Sequence, residues 1–185
     1  MNVTVQQAEE IFRIAVLKCL DLEGNENSGE LVRIGWPTGG APSFTVDQDV
    51  AFVSASPASS DNVTRQRSEL WEPTAPGEAE YKQCGIQVLT IDLVFYGPNS
   101  CEHARAVRAK LQMPSLHDYL ARNGVALILA ANEPVRVPEQ RNGSWWERTD
   151  YTVQVNTLAE TTETIGTIES IGEVGPSIDG AIIFN

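Results

Sequence analysis

The chain has 185 residues, 42% of them hydrophobic and 21% charged, which is typical of one globular domain. Its 25 acidic and 13 basic residues give a formal net charge of -12. This excess of acid argues against a surface for nucleic acid or anionic membrane, because both attract lysine and arginine. The three cysteines form no Cys-x-x-Cys pair and no cluster with histidine, so we expect neither a disulfide framework nor a zinc site.

The start of the chain has none of the features of a secretory signal. Residues Asn2 to Gln7 are uncharged and mostly polar, whereas such a signal begins with basic residues and continues with an apolar core. No apolar run approaches the roughly 20 residues of a membrane helix. We therefore expect a protein that is made and kept in the cytosol.

One helix, two strands and a long loop are predicted in the first part of the chain. Thr4 can cap a helix with one apolar stripe. Leu31 to Trp36 is typical of a short strand that Pro37 stops, and Val46 to Ala55 is a second run of strand type. Ser56 to Gly77 is rich in serine and proline without a sustained period. It therefore predicts a loop outside the sheet.

Gln83 to Tyr96 is predicted as a long strand with unequal faces. Its apolar row contains Leu89, Ile91, Leu93 and Phe95. The opposite row is only partly polar, which predicts a face that is incompletely covered, and a second subunit is one candidate for that cover. The members of this row are Val88, Thr90, Asp92, Val94 and Tyr96.

Two helices and a short strand are predicted next. Asn99 or Ser100 can cap a helix that Pro114 interrupts. A second helix from Ser115 ends at an Asn-Gly turn, in which glycine suits a left-handed cap. Val125 to Ala130 then forms a compact, continuously apolar run, which predicts a strand.

Ser144 to Leu158 is the second long predicted strand and a candidate partner for Gln83 to Tyr96. Tyr151, Val153 and Val155 alternate with polar residues, as in a half-buried antiparallel strand. The fold class is therefore α+β, with a mainly antiparallel sheet and helices packed on one face. We expect a single domain over 1–175 with an inserted loop at about 56–82, and a tail over 176–185.

The sequence contains no recognisable catalytic constellation. His103 and His117 are the only histidines, and the nearest acids stand beside them rather than at ligand spacing. Glu147 and Asp150 are separated by an odd number of strand positions, so they face opposite sides of the sheet and cannot act as an acid and base pair. We expect no enzymatic activity, no cofactor and no metal.

The tryptophans are the main candidates for contact residues. Trp145 shares the apolar row with Tyr151, which predicts a core position, whereas Trp146 shares the polar row and is predicted at a rim or interface. Trp71 in the long loop is a further contact candidate. Burial of Trp71 or Trp146 within its own subunit is the open alternative.

Several parts of the chain follow one another in a familiar order. They are an N-terminal helix, a strand ending in Ile34-Gly35-Trp36-Pro37, Pro42 before a second strand, the long Gln83 to Tyr96 strand, paired helices, and Trp146-Glu147-Arg148 at the start of another long strand. This order, over roughly residues 4–172, resembles the bacteriophage neck or tail terminator family. The resemblance lies in length and arrangement rather than in a single motif.

The resemblance implies a structural virion protein that forms a ring, often six-fold, at the head-proximal end of the tail. Such a ring stops growth of the tail tube and joins it to the head connector. The implied partners are further copies of itself, the tail tube protein and the connector protein, while DNA passes through an acidic lumen without specific binding. The protein would be made in the host cytoplasm and reside in the neck. The expected contact elements are the excursion at 56–82 and the turn at 136–143, and as interface residues we select Trp71, Arg141, Trp146 and Arg148.

Two other interpretations stay open at this stage. The chain could be a different structural virion protein, such as a tail tube or head completion protein. It could also be a cytosolic small-molecule-binding protein or an enzyme. The latter would require a pocket in which His103 or His117 lies beside a charged partner.

Overall fold

The computed structural model describes residues 3–35, 43–58, 67–75, 78–128, 132–141 and 143–166, and every structural statement below concerns these residues. Four helices are present: α1 (Val5–Cys19), α2 (Ser28–Leu31), α3 (Ser100–Leu111) and α4 (Pro114–Arg122). The strands are β1 (Val32–Ile34), β2 (Val50–Pro57), β3 (Arg67–Ala75), β4 (Glu78–Tyr96), β5 (Val125–Ile128), β6 (Val135–Arg136), β7 (Glu139–Arg141), β8 (Ser144–Trp146) and β9 (Arg148–Gly166).

A long antiparallel pair, β4 with β9, forms the centre of the main sheet. The two strands stay in register from Glu78 opposite Gly166 to Tyr96 opposite Arg148. Each has 19 residues, which corresponds to a length of about 60 Å at roughly 3.3 Å per residue. The pairing predicted between the two long strands is therefore confirmed, and it continues past Gln83 and Leu158 at one end, while at the other it stops at Arg148.

Shorter strands line both sides of this pair. The strand order is β1-β2-β4-β9-β5, with β3 also on β4 and β6 also on β9. Of the strand pairs in the described residues, β1 with β2 is the one that runs parallel. On β4, strand β3 pairs with residues 78–85 and β2 with residues 89–96, so these two strands follow each other along the same edge. Strands β7 and β8 form a separate two-stranded sheet.

The helices pack on one face of the main sheet. Helix α1 contacts β1, β2 and β4, α3 contacts β4 and β9, and α4 contacts β5. Between the two layers lies one core of buried side chains, including Phe12, Val53, Leu93, Leu111 and Val153. The α+β fold, with a mainly antiparallel sheet and helices on one face, is thus confirmed.

Local signals explain where the helices begin and end. The Thr4 side chain accepts a hydrogen bond from the Gln7 amide at 3.2 Å, and the Gln7 side chain accepts one from the Thr4 amide at 2.9 Å. This reciprocal capping box fixes the start of α1. Pro114 occupies the first turn of α4, where its missing N–H costs nothing. Gly124 adopts φ +73° after α4, as predicted for a left-handed cap.

The predicted loop over 56–82 is wrong for much of its length. Strand β3 occupies Arg67–Ala75, and β4 begins at Glu78 rather than at Gln83. Residues 69–74 are all exposed, so neither face of β3 provides the apolar alternation from which a strand is recognised. The residues at 59–66 and 76–77 lie outside the described part of the chain.

The predicted strand from Ser144 to Leu158 is divided in two. Strand β8 ends at Trp146 and pairs with β7, whereas β9 begins at Arg148 in the main sheet. Because Glu147 separates two sheets, alternation no longer relates Trp145 to Tyr151. The predicted core position of Trp145 is therefore wrong, since this side chain is 67% exposed.

The remaining differences concern the ends of elements. Strand β1 covers only Val32–Ile34 of the strand predicted at its position, and Trp36 lies outside the described residues. Val46 precedes β2 and is exposed. Strand β9 continues past Leu158 as far as Gly166, and the predicted tail lies outside the described residues.

Two candidate contact surfaces

A three-stranded arm extends beyond the helical layer. We use this name for β3 together with residues 78–86 of β4 and 158–166 of β9, which pair in register. With nine residues in β3, the arm is about 30 Å long. Of its described side chains only Ala79 is buried. The arm therefore has no apolar core of its own and presents two faces to its surroundings.

One face of the arm presents a tryptophan. Trp71 and Tyr81 lie opposite each other on β3 and β4, with ring centroids 4.8 Å apart and planes inclined by 54°. Trp71 nevertheless remains 56% exposed. Glu163 of β9 lies opposite Tyr81, so it shares this face, and Glu69 lies on it two positions before Trp71.

The other face of the arm combines apolar and charged groups. Leu70, Ile86 and Leu158 are exposed there. The Lys82 ammonium bridges Glu72 and Glu80 at 3.2 and 3.0 Å, an exposed arrangement that contributes little to stability. The arm as a whole contains six glutamates against one arginine and one lysine, so it is acidic.

An aromatic corner lies at the opposite end of β4, on the sheet face away from the helices. Phe44 touches Phe52, Tyr96 and Trp146, with centroid separations between 5.3 and 5.6 Å. Tyr96 and Phe52 alternate along their strands with buried residues, which places them on this outer face. The corner covers part of the incompletely polar row that the sequence predicts.

Arg148 connects the corner to the neighbouring strands. Its guanidinium donates to both carboxylate oxygens of Asp150, at 2.7 and 2.8 Å, and to Glu139 at 3.2 Å. The hydrogen bonds to Asp150 are the main reason why the pKa of Arg148 is raised. The Tyr96 hydroxyl donates to Glu139 at 2.9 Å, and burial followed by this bond raises the pKa of Tyr96.

A second exposed surface, the distal patch, lies beside the corner. We define it as Val135 and Arg136 of β6, Val137, and Trp145 of β8, all of which are exposed. Trp145 and Arg136 line an open groove of about 460 Å³, together with Ser100, Pro138, Trp146, Glu147 and Arg148. The patch thus combines apolar side chains, one arginine and a concave site.

Comparison with known proteins assigns the chain to a family. The sequence model of the phage neck terminator protein matches residues 8–180, which is nearly the whole chain. The chain belongs to the phage neck terminator protein family. The comparison with curated proteins found no match. Membership makes the chain a structural component of the phage virion and points to a non-enzymatic role.

The four interface residues predicted for this neck terminator lie in different settings. Trp71 is exposed on the arm, whereas Trp146 and Arg148 are half-buried in the corner and its ionic network. Arg141 ends β7 opposite Ser144, and its side chain lies outside the described part of the chain. Trp146 and Arg148 are brought together with the distal patch, while Trp71 lies at the far end of β4. Their role at an interface stays a prediction.

Sequence reasoning predicts only part of the distal patch. The turn at 136–143, a contact element by resemblance, includes Arg136 and Val137, whereas Val135 is not selected and alternation places Trp145 in the core. The useful signal was the pair of apolar residues flanked by Pro134 and Pro138, because an exposed apolar segment without a period of its own often marks a contact.

The described residues do not bring together a set of metal ligands. No group of three His, Cys, Asp or Glu side chains suited to a metal ion occurs among them. Within the same residues, no helix combines the length and apolar character that a membrane crossing requires. His103 and Asp49 do share a groove of about 210 Å³. Asp49, however, already accepts hydrogen bonds from the Asn99 amide and side chain at 2.9 and 2.7 Å.

Proposed function

We propose that this neck terminator assembles into a ring, with six-fold symmetry, that caps the tail tube and joins it to the head connector. The observation that carries the proposal is the presence of two different exposed surfaces, the arm and the distal patch, at opposite ends of the β4–β9 pair. Two different patches on one chain support a head-to-tail interface. Such an interface gives a closed ring when the rotation from each copy to the next brings the last copy back to the first.

The charge of the chain supports passage of DNA through the ring. A net charge of -12 repels the phosphate backbone and disfavours specific binding, because affinity for DNA depends on basic side chains that displace its counterions. The proposed partners are therefore proteins: other copies of this chain, the tail tube protein and the head connector protein. We propose synthesis in the host cytoplasm before incorporation into the neck.

We further propose that residues 1–175 form one domain and 176–185 a tail. The single core between sheet and helices supports the first part. The tail ends in the apolar run Ala181 to Phe184, which could add a strand to the open edge of a neighbouring sheet. Within this domain, the segment once expected as an inserted loop contributes the arm.

The test of this function is the morphology of phage particles that lack the chain. Host cells infected with a phage whose gene for this chain carries an early stop codon should accumulate filled heads and unattached tails of irregular, excessive length. Complementation with the wild-type chain should restore joined particles with uniform tails. Joined tails of normal length without the chain would contradict the proposal.

The same experiment separates the other structural roles. Loss of a tail tube protein should remove tubes altogether, whereas loss of a head completion protein should leave tails of normal length beside heads that fail to retain DNA. Among the described residues, the groove of His103 and Asp49 is the feature that favours a small-molecule binder. His103→Ala should leave particle assembly unchanged, because the proposed ring does not use this groove.

A further inference from the structure

We propose that the arm of one copy docks on the distal patch of the next copy, with the Trp71 side chain in the groove beside Trp145. The inference rests on the proposed ring and specifies its junction. It follows from three properties of the two surfaces, namely their shape, their charge and their position.

The shapes of the two surfaces are complementary. Trp71 projects from the arm and is 56% exposed, although Tyr81 supports one side of its ring. The groove at the distal patch has a volume of about 460 Å³, and exposed Trp145 forms part of its wall. Tryptophan is among the residues that most often dominate the affinity of an interface, because its large rigid ring fills such a groove at low entropic cost.

The charges are also complementary. Glu69 and Glu163 share the Trp71 face of the arm and are exposed. Arg136 lines the groove and is exposed, and the other charged groups in its wall are Glu147, which is exposed, and Arg148, which is paired with Asp150 and Glu139. An arm seated in the groove would place a glutamate and this arginine at the rim of the same contact. Contacts between two acidic arms would instead be repulsive.

The position of the surfaces favours another copy of the chain as the occupant. They lie at opposite ends of β4, so one molecule cannot bring its own arm to its own patch across a rigid strand pair about 60 Å long. Each copy leaves both surfaces available, and this is the requirement for a heterologous junction that continues from copy to copy.

Self-association of single variants of the full chain provides the first test, measured by sedimentation equilibrium. Trp71→Ala and Trp145→Ala should each weaken it by about 30-fold or more, the loss expected at an interface hot spot. Leu70→Ala, on the opposite face of the same strand, and Met113→Ala, an exposed apolar residue between α3 and α4, should have little effect. A wild-type chain that is monomeric at about 1 mM would overturn the proposal.

Mixing two variants tests whether the junction is head-to-tail. Trp71→Ala retains an intact distal patch, and the double variant Arg136→Glu with Trp145→Ala retains an intact arm. The protein concentration is chosen so that the wild type associates but a junction weakened by about 30-fold does not. Each variant alone should then be monomeric, and a 1:1 mixture should contain heterodimers but no larger species in native mass spectrometry. Homodimers of either variant, or no heterodimer in the mixture, would overturn the proposal.

A charge reversal tests the register of the contact. Arg136→Glu and Glu163→Arg should each weaken self-association, and the chain carrying both changes should recover at least about tenfold of the loss if the two residues meet. Recovery would also show that the single variants are folded. If the two losses of affinity are strictly additive in the double variant, Glu163 does not meet Arg136, and this register of the contact is overturned.

The outcomes also separate this inference from the proposed function. If Trp71→Ala associates like the wild type and still forms joined particles, the junction is elsewhere while the terminator role stands. If self-association follows the predictions but tails are normal without the chain, the terminator role fails while the junction stands.

Discussion

Gly97 lies between β4 and α3, and its backbone packs directly against the turn before β2. Its φ is +104°, and a Cβ at this position would lie 2.5 Å from Asp49 Oδ1 and 2.7 Å from the Gln48 carbonyl oxygen. The same Asp49 carboxylate accepts the hydrogen bonds of Asn99 at the start of α3. Glycine is therefore required both by the conformation and by the close approach of the turn.

We predict that Gly97→Ala lowers the free energy of unfolding by about 2 to 4 kcal/mol, the sum of backbone strain and displacement of the turn. The matched control is Gly24→Ala, at which φ is also positive but nothing lies within 4 Å of the added Cβ. Gly24→Ala should lower the free energy of unfolding by roughly 1 kcal/mol, because it adds backbone strain but no close contact. Equal losses in urea denaturation of the two variants would contradict this explanation.

Buried tyrosines predict loss of stability at alkaline pH. Burial raises the pKa of Tyr151 in the core and of Tyr119, and it raises the pKa of Cys19 to about 12. Because these groups ionise at lower pH in the unfolded chain, the unfolded state loses protons first. The contribution of the tyrosines is complete below their ordinary pKa of 10.0, and that of Cys19 is complete below its ordinary pKa of 9.0. Each contribution falls as the pH rises from the ordinary pKa through the raised one.

The contribution of one tyrosine can be isolated. Tyr151→Phe should make the decline of the unfolding free energy above pH 10 shallower than in the wild type, because one ionisation in the unfolded state is removed. Its stability near neutral pH should change much less. Denaturant midpoints measured over an alkaline pH series provide the test, and an unchanged slope would show that Tyr151 does not contribute.

At the scale of elements, the arm is the part of the sheet with the least packing. The described arm residues bury only Ala79, whereas β4 continues into the core through Leu89, Ile91, Leu93 and Phe95. Local stability follows buried contacts rather than the length of a hydrogen-bonded ladder. The two halves of one strand should therefore differ.

We predict that the amides of residues 79–86 exchange with solvent far faster than those of residues 89–95 in the monomer. Hydrogen exchange read out by NMR would measure both halves of β4 in the same molecule, so the second half serves as the internal control. Uniform protection along β4 would mean that the arm is held by contacts that the described residues do not explain.

The difference in burial between the core and the arm explains which strands could be predicted from the sequence. Alternation identified β4 and β9 where one face is buried, as for Leu93 and Val153, and it predicted their pairing. It failed for β3, because residues exposed on both faces carry no periodic signal. It misplaced Trp145, because a one-residue change of sheet at Glu147 cancels the relation between sequence parity and face.

For the whole molecule, the central feature is the separation of a helix-covered body from two exposed ends. The body holds the core, while the acidic arm and the distal patch lie at opposite ends of one strand pair. The order of the helices and long strands could be predicted from the sequence, but the juxtaposition of Val135, Arg136 and Trp145 could not. It depends on β6 pairing with β9 and β7 pairing with β8, which no local pattern specifies.

The most direct measurement is cryo-electron microscopy of intact phage particles, with the chain located in the neck density. We predict a closed ring of copies between the head connector and the tail tube, in which the arm of each copy reaches the β6–β8 region of the next. Copies distributed along the tube, confined to the capsid, or absent from purified particles would contradict the proposed role.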